Sequence, residues 1–174
     1  YAFKTMAVVL EKLFITLSFL ISVMCISSQS WALPECTNDR SAYKHNCEFI
    51  KYYRNGNLIE KGNYQNNKKE GVWVKYNRFS KKLLSKGEWK NGKRNGKGIY
   101  IWKGGTVYEG DSKDNNQHGK GNTKYANGDF YEGDFKDNKF HGKGKYIYKN
   151  GDVYEGEWRN DTEYNGRRYK LEYV

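Results

Sequence analysis

Apolar residues are laid out in two different ways along the 174 residues. Between Lys12 and Ser27 they form one run without a charge, "LFITLSFLISVMCI" (13–26). Beyond residue 49 they come as short stretches rich in Tyr, Val and Phe, set between glycines and polar residues. The first layout fits the hydrophobic region of a signal peptide and is short for a membrane-spanning helix. Ser30 and Ala32 offer the small residues of a cleavage site, which predicts a signal peptide over 1–32 and a mature start at Leu33. An uncleaved N-terminal anchor is the competing reading. Either way the chain is expected to be exported, to a periplasmic, extracellular or cell-envelope location.

The second layout is periodic. Gly87, Gly110, Gly133 and Gly156 are each 23 residues apart, as are Gly96, Gly119 and Gly142, Gly98, Gly121 and Gly144, and Gly105, Gly128 and Gly151. Tyr-Glu precedes the first series at Tyr108, Tyr131 and Tyr154, and an aromatic follows it by two at Trp89, Phe135 and Trp158, with Ser112 the exception. "YANGDFYEG" and "YKNGDVYEG" place Asn-Gly between stretches of strand-forming residues, the signal of a two-residue hairpin turn. The other connection, as in "KDNKFHGKG", reads as a looser turn or bulge. One period is therefore one hairpin, and successive hairpins pair into an antiparallel meander that advances about 10 Å per repeat. Before residue 87 the rule loosens, and near the end Gly166 falls one residue late, as expected of terminal units that cap an open edge.

Register decides which face the rings occupy. With two-residue turns, Tyr148 faces Val153, Tyr125 faces Phe130, and Tyr131 and Tyr154 lie on the opposite face beside Gly133 and Gly156. A one-residue bulge exchanges the faces. A flat sheet would expose rings on both, so curling, dimerisation or a partner is expected to cover one. Tyr100, Trp102, Tyr108, Tyr125, Phe130, Tyr131, Phe135, Tyr148, Tyr154 and Trp158 are the candidate groove aromatics.

These motifs resemble the MORN (membrane occupation and recognition nexus) repeat, roughly Tyr-x-Gly-x-Trp-x-x-Gly-x-x-x-Gly-x-Gly. "YEGDFKDNKFHGKG" and "YEGDSKDNNQHGKG" carry it, "GEWKNGKRNGKG" carries it without the leading tyrosine, and "GNYQNNKKEGVWVKY" is similar to a variant form. The resemblance implies an all-β, elongated array of hairpins in a single curved, groove-forming sheet, with a cap at 33–48, variant repeats at 49–86 and repeats at 87–174. It also implies scaffolding, membrane association or dimerisation, and leaves no room for the kinase or methyltransferase domains that accompany such arrays elsewhere.

Composition adds three things. Aromatics make up 17% of the chain, while the usual aliphatic core formers are scarce, so rings must hold the fold. The formal net charge of +11 favours anionic partners, although an AT-rich codon bias enriches lysine just as well. In an exported chain Cys36 and Cys47 form a pair, and a disulfide closing that loop contributes roughly 3 kcal/mol.

No nucleophile, phosphate loop or metal spacing stands out. The repeated carboxylates Glu88, Asp111, Asp134 and Glu157 are copied in every period, whereas an active site breaks symmetry. His118 and His141 lack a third ligand. The expectation is a protein that is not an enzyme, without cofactor, metal or small-molecule substrate, and nucleic acid is disfavoured. The leading function is a scaffold that binds a protein partner or itself along the aromatic groove. The alternative is attachment to anionic phospholipid or an envelope polyanion through two lysine rows, Lys90, Lys113, Lys136 and Arg159, and Lys97, Lys120 and Lys143. Carbohydrate stacking on the aromatics is a third possibility.

Overall fold

The computed structural model describes residues 33–36 and 44–171. The hydrophobic run and the expected cleavage site lie outside them. Eleven strands follow one another: β1 (Cys47–Tyr52), β2 (Leu58–Gln65), β3 (Lys68–Tyr76), β4 (Leu83–Lys90), β5 (Lys93–Ile101), β6 (Val107–Lys113), β7 (Asn116–Lys124), β8 (Phe130–Lys136), β9 (Lys139–Ile147), β10 (Asp152–Arg159) and β11 (Thr162–Lys170). They form a single antiparallel sheet in chain order, a pure meander.

The two kinds of connection exchange the roles expected of them. Tight two-residue turns fall at Asp114-Asn115, Asp137-Asn138 and Asn160-Asp161, where both residues have positive φ (51° and 67° at Asp137-Asn138) and Lys136 pairs with Lys139 across the turn. The Asn-Gly segments instead make longer loops. The Gly151 N–H donates to the Tyr148 carbonyl at 2.9 Å, and the Tyr148 N–H donates to the Asp152 carbonyl at 2.9 Å. Gly151, at φ 86°, supplies the left-handed residue that closes a three-residue loop. Asn150 caps it by accepting the Asp152 N–H at 3.1 Å.

That extra loop residue sets the register. Tyr154 pairs with Tyr146 and Val153 with Ile147, while Lys124, and not Tyr125, faces Phe130. One face therefore carries the cross-strand row Tyr100, Tyr108, Thr123, Tyr131, Tyr146 and Tyr154. Phe130, Ile147 and Val153 lie on the other face.

Each ring of the row has a defined bed. Tyr131 lies across Gly133 and Gly144, Tyr108 across Gly110 and Gly121, and Tyr154 across Gly156 and Gly166, positions where any Cβ would strike the ring or the facing backbone. The hydroxyls of Tyr131 and Tyr154 each donate to the carbonyl three residues on, Asp134 and Glu157, at 2.9 Å. The hydroxyl of Tyr108 does the same to Asp111. Ser85 stands where the first repeat lacks this tyrosine, and its cross-strand partner Tyr100 covers Gly87 and Gly98 instead. Trp73 does likewise over Gly62. Gly166 opposes Gly156 and so takes the part of Gly144; it arrives one residue early because the β11 irregularity carries fewer extra residues than the one in β9.

The core is this ring layer: Tyr100, Tyr108, Tyr131, Phe135, Tyr154 and Trp158 are buried, with Tyr125, Phe140 and Tyr146 packed against them. Phe135 meets Tyr108 and Tyr131 edge-on at 5.2 and 5.1 Å, and Trp158 meets Tyr131 and Tyr154 at 5.6 and 5.0 Å. Every second-row ring therefore belongs to two repeats. At the front, the Cys36–Cys47 disulfide forms as expected and ties residues 34–36 to the outer edge of β1, where the Cys36 N–H meets the Glu48 carbonyl at 2.7 Å.

Burial raises the phenol pKa of Tyr108, Tyr131 and Tyr146 well above its ordinary value, and that of Tyr100 and Tyr125 more mildly. These groups ionise more easily in the unfolded chain. Stability should thus be level below the unfolded phenol pKa of about 10 and fall as pH rises past it, on the order of 1 kcal/mol per pH unit for each buried tyrosine. Ultraviolet titration should show these phenols ionising only together with unfolding. Smooth ionisation in a folded chain would contradict the packing described.

Candidate binding groove

Side chains on the face away from the tyrosine row come from the residues flanking each glycine. The glycines themselves line up across eight strands: Gly87, Gly98, Gly110, Gly121, Gly133, Gly144, Gly156 and Gly166. Their backbone forms the floor of a groove between two walls. One wall reads Lys86, Ile99, Glu109, Asn122, Glu132, Lys145, Glu155 and Arg167; the other contains Lys97 opposite Asp111, Lys120 opposite Asp134, and Lys143 opposite Glu157. Three cavities open along this line. The first, of ≈ 350 Å³, includes Val72, Lys86, Ile99 and Glu109; the second, of ≈ 340 Å³, Glu109, Lys120, Asn122 and Glu132; the third, of ≈ 610 Å³, Glu132, Lys143, Lys145, Glu155 and Arg167.

The repeated aspartates have structural work in this groove. The Asp134 carboxylate accepts the Lys143 N–H at 2.9 Å and pairs with Lys120 Nζ at 2.6 Å; Asp111 accepts the Lys120 N–H at 3.3 Å and pairs with Lys97 Nζ at 3.2 Å. Each one folds over a left-handed glycine, Gly142 or Gly119, and satisfies the backbone where the ladder breaks. At the far end Tyr169 and Arg167 hydrogen-bond Glu155 and hold its carboxyl below the ordinary value. In the middle, Glu109 and Glu132 have no ion pair among the described residues, and they leave that stretch of a cationic chain acidic.

The structure disperses the two sets of candidate residues. Six of the ten candidate groove aromatics are buried in the ring layer, Tyr125 and Tyr148 are half-buried, Phe130 is on the opposite face, and Trp102 is 42% exposed on a loop. The aromatic face is closed by its own rings, so the groove lies on the charged face instead. Lys97, Lys120 and Lys143 stand on a groove wall, the first two engaged with carboxylates. Lys90, Lys113 and Lys136 sit beside the tight turns at one edge of the sheet, and Arg159 stacks on Tyr164 at 3.3 Å. The two rows form no common surface. His118 Nδ1 lies 3.6 Å from Asp137 and His141 pairs with Asp134 in register.

Other residues escape the 23-residue rule because they do not recur: Phe140, stacked 3.7 Å from Tyr131, and Val72 and Ile99, the apolar lining at one end of the groove. Asn115, Asn138 and Asp161 do recur, and they clamp each hairpin to the one before. The Asn138 N–H donates to the Gln117 carbonyl at 3.0 Å, and its Oδ1 accepts the Gln117 N–H at 2.8 Å. Their only sequence signal is a polar residue at the second turn position.

Residues 86–107, 108–130, 131–153 and 154–162 match the MORN repeat model. A search of curated proteins returned no match.

Proposed function

We propose that this array of MORN repeats is a non-catalytic scaffold, exported to an oxidising compartment, that holds a protein partner in the charged-face groove. The observation that carries the reading is the acidic stretch at Glu109 and Glu132 over a floor of glycine backbone. A floor without side chains admits an extended polypeptide closely, and unpaired carboxylates select one rich in Lys and Arg. Val72 and Ile99 give that segment an apolar hold at one end. The Cys36–Cys47 disulfide is compatible with export. Self-association along the groove requires a basic segment of a second copy. Attachment to anionic lipid through the lysine rows has less support, because Lys97 and Lys120 are already engaged with carboxylates.

A photo-crosslinker placed at Asn122 should capture the partner in its native setting, and one at Lys113 should not. Glu109→Lys combined with Glu132→Lys should weaken capture about tenfold, roughly 1.4 kcal/mol. Equal capture from both positions, or indifference to the charge reversal, would refute the groove reading.

A further inference from the structure

The edge of the sheet opposite the tight turns carries a second surface, separate from the groove. Its first three loops are Tyr53–Asn57, Asn77–Lys82 and Trp102–Thr106, joining β1 to β2, β3 to β4 and β5 to β6. They contain Arg54, Arg78, Lys81, Lys82 and Lys103, all exposed, and no acidic residue. Beside these bases stand Tyr52, 60% exposed, Phe79, 68% exposed, and Trp102, 42% exposed, three of the seven exposed large apolar side chains among the described residues. The Arg78 guanidinium lies over the Phe79 ring at 4.5 Å and the Tyr53 ring at 5.8 Å, and the Tyr53 and Phe79 rings are 6.0 Å apart. The first two loops are thereby joined in one patch.

Loop geometry does not demand this composition. The next two loops keep their rings, Tyr125 and Tyr148, half-buried, and Asp129 and Asp152 close them. Asp129 accepts the Lys149 N–H at 2.8 Å, the task that Thr106 performs toward Ala126 at 3.4 Å one repeat earlier. An aspartate can thus serve at that position. The first three loops end in Asn57, Lys82 and Thr106 and carry exposed rings, so charge and ring exposure vary together along this edge.

We propose that this edge binds an acidic polysaccharide, a carboxylated glycan lying across the three loops. Successive ring sites are one hairpin apart, about 10 Å, close to the advance of two sugar units in an extended chain. Each ring has a base within its own loop or the adjoining strand end. That alternation suits a polymer whose apolar sugar faces stack on rings while its carboxylates meet guanidinium and ammonium groups. A bilayer calls for rings that protrude together as one apolar patch, whereas here charge separates them and Arg78 covers part of Phe79.

The test uses the full chain with fluorescent polygalacturonate, neutral dextran, and vesicles containing phosphatidylglycerol. Binding to polygalacturonate and not to dextran is expected, weakened by salt without being abolished. Phe79→Ala with Trp102→Ala should reduce affinity about tenfold, as should Arg54→Gln, Arg78→Gln and Lys103→Gln together. Lys90→Gln, Lys113→Gln and Lys136→Gln remove as much charge at the other edge and should change affinity by less than about twofold. Glu109→Lys with Glu132→Lys should leave it no weaker, which separates this surface from the groove. All these side chains are exposed, so unchanged thermal midpoints are expected; if the ring variant melts early, the charge variants decide. Absence of polygalacturonate binding, an equal loss from the turn-edge lysines, or binding to the vesicles alone would each overturn the proposal.

Discussion

Tyr131→Ala is expected to lower the unfolding free energy by about 3–5 kcal/mol, the usual loss for a large buried ring. Tyr131 is fully buried, stacks on Phe140 at 3.7 Å, and meets Phe135 and Trp158 edge-on at 5.1 and 5.6 Å. Its removal opens a cavity against rings contributed by β8, β9 and β10, which the flanking strands hold apart. Tyr131→Phe isolates the hydroxyl, whose bond to the Asp134 carbonyl at 2.9 Å is worth about 1 kcal/mol. Urea denaturation of the two variants checks both values. Because stability in such arrays is a chain of neighbour terms, the alanine variant should also broaden the transition as the halves on either side uncouple. A loss below about 1 kcal/mol in Tyr131→Ala would mean that the ring layer does not hold the sheet.

Gly133→Ala should cost about 3 kcal/mol, at the upper end for overpacking. The added Cβ would lie 2.5 Å from Gly144 Cα, 2.6 Å from Tyr131 Oη and 2.7 Å from the Lys143 carbonyl oxygen, and two of these three are backbone. Combining it with Tyr131→Ala relieves the clash with the hydroxyl and leaves the clash with the Gly144 backbone, so the double variant should remain less stable than Tyr131→Ala alone. Gly56→Ala is the control: it has φ 79° and open space around it, and should lose only about 1 kcal/mol of backbone strain. A Gly133→Ala loss no larger than that of Gly56→Ala would contradict the close approach of β8 and β9.

The hairpin period was legible because glycine recurs wherever a tyrosine must lie flat on backbone, and that requirement is local to each repeat. Turn type was not. Asn-Gly and Asp-Asn both tolerate positive φ, and what separates them is long-range. Asn138 is held by Gln117 across 21 residues, which favours the tight turn there and leaves the looser loop for Asn150-Gly151. Misplacing the tight turn by one connection exchanges the faces of every following residue, which is why rings read as groove lining are core. Tyr100 shows the same limit differently. The missing tyrosine at Ser85 was visible, but its replacement comes from the partner strand, and only the pairing of Ser85 with Tyr100 reveals it. Exposed Phe79 and Trp102 lie in loops, where period alone gives no reason to separate a surface ring from a buried one.

Phe135 between Tyr108 and Tyr131, and Trp158 between Tyr131 and Tyr154, tie each repeat to its neighbour by a ring that neither owns. This constrains how such a gene can change length. Adding or deleting one whole period restores every junction, since each incoming tyrosine meets the same kind of partner that the old one met. A change of any other length within a strand sets rings against charges along all that follows. Recombination can therefore trade these units like links of a chain, and selection would act on their number before it acted on their residues.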